Sequence, residues 1–116
     1  MQFQDFVQDD IFSPALIADA LRTTKSEIAD TLGLTKDAFS RKSRLEAKKT
    51  QTRLRQMLEI LHRVEEATGS PLVAYAWFRS EQLSGFGGMT ADQLVRDGKA
   101  RYVHDHLDRV MAGGYA

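Results

Sequence analysis

Hydrophobic and polar positions follow a helical period along most of the chain. The clearest run lies between Thr50 and Thr68, where Leu54, Met57, Leu58, Leu61 and Val64 recur three and four residues apart while Arg, Gln, Glu and His fill the other faces. Gly69 is placed to stop that helix, since glycine enters the left-handed conformation without a steric penalty. Ser70-Pro71 then reads as a helix start. Serine caps a free N–H, and proline fits the first helical position, where its missing donor costs nothing. The following stripe of Leu72, Val73, Ala76 and Trp77 predicts a helix with one apolar side. Ser13-Pro14 carries the same start signal and predicts a short helix from Pro14 to about Arg22, with Leu16, Ile17, Ala20 and Leu21 inward. At the other end, Lys99 to Met111 is amphipathic, with Ala100, Val103, Leu107, Val110 and Met111 as the inward stripe.

Between these runs, Thr24-Lys25-Ser26-Glu27 fits a capping box, in which hydroxyl and carboxylate each satisfy an orphan backbone N–H. The helix it opens extends through Leu32 and ends at Gly33. Thr35 is placed to cap a third helix carrying Lys36 to Lys42. Residues 1–12 have no clear period; Phe3, Phe6, Val7, Ile11 and Phe12 suit a short helix or an arm. No segment alternates with period two, and no low-complexity linker divides the chain. The expected fold class is all-α.

A chain of 116 residues buries one modest core, or two small helical modules sharing a face, and dimerisation would add to its stability. No apolar run approaches the roughly 20 residues of a membrane span. The start, MQFQDFVQDD, lacks the basic and apolar regions of a secretory signal, and cysteine is absent, which excludes disulfides and thiolate chemistry. A cytoplasmic setting is expected, with no membrane partner. Lys+Arg and Asp+Glu balance at 16 each, so the informative feature is where the charge falls. From Lys36 to Arg55 there are eight basic residues against two acidic ones, a basic block inside a neutral protein.

Catalytic equipment is not apparent. His104 and His106 are two apart, which on a helix points them about 200 degrees from each other, and His62 stands alone on a polar face. No Ser, Thr or His cluster pairs a nucleophile with a base. Gly85-Phe86-Gly87-Gly88 follows no strand and lacks the Lys-Ser/Thr ending of a phosphate loop. The expectation is a binding protein, not an enzyme, with no cofactor and no metal.

The stretch KSEIADTLGLTKDAFSRKSR resembles a helix-turn-helix of the Xre type. Ala29 is small where the helices would cross, Gly33 makes the turn, and Ile28, Leu32, Leu34 and Phe39 occupy positions such motifs bury. Lys42 stands where they usually bury an aliphatic residue. By position, the resemblance assigns Lys25, Ser26, Thr35, Lys36, Asp37, Ser40 and Arg41 to face DNA. Arg41 is suited to a guanine edge, and Arg44, Lys48 and Lys49 to phosphates.

The second half resembles the toxin-binding domain of Xre/MbcA/ParS-type antitoxins. The features that carry this are the Pro71 to Phe78 helix with its Trp77, a glycine-bearing loop, the Thr90, Leu94, Val95, Asp97, Gly98 segment, and the final helix. The implied organisation is a DNA-binding module with its linking helix over 1–68 and a toxin-binding domain over 69–116. The resemblance further implies a homodimeric antitoxin that forms a hetero-oligomer with an NAD-depleting RES-domain toxin and represses its own operator DNA. It nominates Arg101, Tyr102, Asp105, His106 and Arg109, with the tail Gly113, Gly114, Tyr115 and Ala116, as toxin-binding. A stand-alone helix-turn-helix regulator whose second half only dimerises is the alternative. A helical adaptor without DNA binding is a third class.

Overall fold

A computed structural model describes residues 1–113. The chain is mostly helical, and its organising element is α4 (Lys48–Thr68), whose Leu54, Met57, Leu58, Ile60 and Leu61 are fully buried. This helix of 21 residues is long enough to serve both halves of the chain at once. Ahead of it come α1 (Pro14–Ala20), α2 (Lys25–Thr31), a 3-10 turn (Lys36–Phe39) and the single-turn α3 (Lys42–Leu45). After it come α5 (Pro71–Ser80), α6 (Ala91–Arg96) and α7 (Ala100–Gly113). One continuous core runs from Ile17, Ile28 and Leu32 through α4 to Phe78, Leu94, Val95 and Val103. No helix among the described residues is long and apolar enough to cross a membrane.

Several local signals act as expected. Ser13 and Ser70 each accept helix N–H groups, Thr24 accepts from the Glu27 N–H, and Gly33 and Gly69 are left-handed at φ +66° and +78°. The Glu27 carboxylate, however, does not return to the Thr24 N–H. It is taken by the Thr23 hydroxyl and by Arg79, 2.6 Å away on α5, so a residue expected to close a local cap joins the two halves instead. At α6 the return half of such a box forms, with the Gln93 side chain accepting from the Thr90 N–H at 3.0 Å, while the Gln93 N–H donates to Asp92.

The structure corrects three features of the hydrophobic pattern. Residues 7–12 form a minimal antiparallel hairpin, Val7–Gln8 paired with Ile11–Phe12, where no strand was expected. Its two-residue turn holds Asp9 and Asp10 at φ +54° and +67°, a conformation that aspartate tolerates better than most residues. The Gln51 side chain secures the hairpin to α4, accepting from the Phe12 N–H at 2.9 Å and donating to its carbonyl. In α5 the buried side is Ala74, Tyr75 and Phe78; Val73 is 52% exposed and Trp77 only partly buried. In α1, Ile17, Ala18 and Leu21 turn inward, while Leu16 and Ala20 face out. Short helices carry too few turns for their apolar residues to define one side, and the neighbour they pack on chooses it.

Arg53 makes a further connection that its position in a basic block conceals. Its guanidinium donates to the Leu32 carbonyl at the end of α2 (2.6 Å) and to the Arg96 carbonyl at the end of α6 (3.0 Å). A cation is favourable at a helix C-terminus, where carbonyls lack intrahelical partners. One side chain of α4 therefore closes a helix from each half.

Candidate interaction surfaces

The first surface is the outer side of α7. Ala100, Val103 and Leu107 are buried, which leaves Tyr102, His106 and Val110, spaced four residues apart, as a second stripe facing away. Tyr102 is 46% and Val110 54% exposed. Val110 was expected in the inward stripe and is not there, because the buried side of α7 narrows towards its end, where Met111 alone packs partly on the core.

The glycine loop completes this surface. Leu83 is buried and its N–H donates to the Met89 carbonyl at 2.9 Å, so the loop between them is closed at its base. Gly85, Gly87 and Gly88 are all left-handed, which lets the chain curl back on either side of Phe86. The Phe86 ring then lies 6.0 Å from that of Tyr102 and 6.5 Å from that of His106, within the range of favourable aromatic pairs. Burial, and secondarily the positive charge of Arg109, lowers the His106 pKa from its ordinary value, which favours the uncharged ring beside Phe86. Sequence reading passed over Phe86; the available signal was an aromatic residue enclosed by glycines.

Of the residues nominated on α7, Arg101, Tyr102 and Arg109 are exposed and Asp105 and His106 half-buried. His104 and Asp108 belong to a different side. Arg63 of α4 reaches His104 Nδ1 at 3.1 Å and Asp108 at 2.7 Å. A guanidinium only donates, so that ring nitrogen accepts and the pair fastens α7 to α4. Gly113 closes α7; Gly114, Tyr115 and Ala116 lie outside the described residues.

The second surface is the basic block. Lys25, Ser26, Thr35, Lys36, Asp37, Ser40, Arg41, Arg44, Lys48 and Lys49 are all exposed. They are not carried on a continuous third helix. Lys36–Phe39 forms a 3-10 turn that Thr35 does not cap, and Arg41 adopts an extended conformation (φ −126°, ψ 143°) before the one turn of α3. The Lys42 side chain is 84% exposed, so the residue that departs from the helix-turn-helix pattern contributes no buried anchor where the segment breaks. Asp37 pairs with Arg44 at 3.3 Å, and Ser40 donates back to the Asp37 carbonyl. Arg44, Lys49 and Thr35 line a recess of about 230 Å³ between this segment and the start of α4.

No family model matches the chain, and no curated protein or solved structure matches it.

Proposed function

We propose that this protein is an antitoxin. In this reading it binds and blocks an NAD-depleting RES-domain toxin through its second half and represses its own operon through its basic first half. The observation that carries the reading is the outer side of α7, where exposed Tyr102 and Val110 and half-buried Phe86 and His106 form a partly aromatic strip flanked by Arg101 and Arg109. Aromatic and arginine side chains of this kind supply most of the binding energy at protein interfaces, and this one lies on the element that the antitoxin resemblance nominates. The protein acts by covering a partner and performs no chemistry of its own.

Tyr102→Ala tests this. Tyr102 is half exposed, so its removal should leave the thermal midpoint within a few degrees of the wild type. The affinity for the toxin encoded beside it should fall about 30-fold, the loss of about 2 kcal/mol typical of an interface anchor, and growth rescue on co-expression should fail. Unaltered affinity would assign the toxin to another surface. Failure of the wild-type protein to co-purify with that toxin, while it still shifts its promoter, would favour the stand-alone regulator.

The DNA-binding half of the proposal rests on the exposed basic block. With the segment from Lys36 to Leu45 broken at Arg41, phosphate contacts should dominate over base reading, and binding should weaken steeply with salt. In band shifts with the native promoter, Lys48→Ala and Lys49→Ala should each reduce the slope of log affinity against log salt by about 1. Arg41→Ala should weaken binding about 5- to 150-fold, as expected for loss of a base-edge contact worth about 1–3 kcal/mol. Identical shifts for all three variants would remove the block from DNA recognition.

A further inference from the structure

A cleft of about 380 Å³ lies where α2 meets α5 and α6, lined by Asp30, Thr31, Arg79, Ser80, Asp92 and Arg96 together with Ala76. Its charges are arranged unusually. Asp92 and Arg96 stand four residues apart on α6, the spacing at which an acid and a base on a helix ordinarily pair, yet no ion pair joins them. Each is held back by other contacts. Asp92 is only 7% exposed, and its Oδ1 accepts from the Thr90 hydroxyl and from the Gln93 N–H at 2.9 Å. The Arg96 stem lies flat over Gly33, so close that a β-carbon there would meet Cγ and Cδ at 2.8 Å.

Asp30, across the cleft on α2, likewise has no ion pair among the described residues, while Arg79 is engaged by Glu27. Thr31 and Ser80 are also occupied, the first with Tyr75 and the second with the Ala76 carbonyl. The groups left to act are therefore two carboxylates and one guanidinium, of opposite sign and kept apart in one cleft. Both contacts to Asp92 fall on its Oδ1, so its Oδ2 is left, with the Asp30 carboxylate, to receive a cation in the cleft.

We propose that this cleft is a binding site for a small zwitterion of the free amino-acid class. The ligand's ammonium would lie between Asp92 and Asp30, and its carboxylate against the Arg96 guanidinium, where planar paired donors suit it. The volume admits a molecule of this size. Because the walls come from α2 on one side and α5 and α6 on the other, an occupant ties the basic half to the half that carries α7. The site does not depend on the antitoxin reading.

Calorimetric titration of the whole protein with each of the twenty common amino acids tests this, with ethylamine and propionate as single-charge controls. At least one amino acid should bind saturably at one per chain and raise the thermal midpoint, and neither control should do so. Arg96→Gln and Asp30→Asn should each weaken that binding at least tenfold. Both are partly or fully exposed positions whose replacement leaves the core intact, and the unligated midpoint checks this. Asp92→Asn should act in the same direction. Absence of saturable binding by any of the twenty, equal binding of ethylamine or propionate, or binding unchanged in both Arg96→Gln and Asp30→Asn would overturn the proposal.

Discussion

Phe78→Ala is expected to lose about 3–5 kcal/mol of folding stability, the range seen when a fully buried aromatic ring is removed and its cavity cannot collapse. Phe78 is 0% exposed and belongs to the core shared by α4, α5 and α6. Domains of this size are typically stable by about 5–15 kcal/mol, so the loss is a large fraction of the total. Urea titrations followed by circular dichroism should show the midpoint falling sharply, with Phe78→Leu losing much less because most of the volume is kept. The expectation rests on burial alone. A loss below about 1 kcal/mol would mean that Phe78 is not tightly packed between α4 and α5.

Arg53→Ala should produce the second-largest effect, about 3 kcal/mol, although the residue sits in a charge-rich stretch and looks replaceable in sequence. Each of its two bonds, to the Leu32 and Arg96 carbonyls, joins a guanidinium to a helix end, and hydrogen bonds to charged groups contribute about 1.5–3 kcal/mol. Truncation leaves both carbonyls short of a donor at a part-buried position, where water replaces only some of what is lost. Lysine in its place keeps the charge but loses the planar fork that spans two acceptors, so Arg53→Lys should recover about half of the loss. Trp77, the only tryptophan, gives a fluorescence signal for the unfolding titration. Arg53→Ala and Arg55→Ala make an informative pair. Arg55 is exposed and, among the described residues, forms only a 3.8 Å pair with Glu59, so its loss should stay within about 0.5 kcal/mol. Equal effects for the two would show that Arg53 does not act as a clamp.

This contrast between neighbouring arginines shows how unevenly the molecule was legible. The long helix could be read because five apolar residues at helical spacing over 21 residues permit only one buried side, and Leu54, Met57, Leu58, Leu61 and Val64 are all inside. Ile60 joins them because α4 is covered from more than one direction, which a single stripe does not reveal. The cap and stop signals at Ser13, Thr24, Gly33, Gly69 and Ser70 were legible for a related reason. Each depends on atoms within a few residues of itself, so no distant partner has to be known.

The interaction surfaces were legible only in part. The α7 residues Arg101, Tyr102, Asp105, His106 and Arg109 were nominated as a set, and the fold leaves them exposed or half-buried. Phe86 was missed, since its approach to Tyr102 and His106 depends on three left-handed glycines curling a loop across to another element. The third helix was overread. Its residues are compatible with a helix, but with Lys42 in place of a buried anchor the segment breaks at Arg41, and a cap residue at Thr35 does not compensate for missing packing.

By itself, the sequence determined that the chain is mostly helical, where its longer helices start and stop, and that charge is concentrated in one block, because periodicity, capping and composition act over short distances. The tertiary structure decided which side of each short helix is buried, where Glu27, Arg53 and Arg63 reach, that Phe86 joins α7, and that Asp30 of α2 faces Asp92 and Arg96 of α6 across a cleft. Those outcomes depend on which atoms lie within a few ångströms once distant segments meet, and α4, packed against both halves, is the element that brings them together.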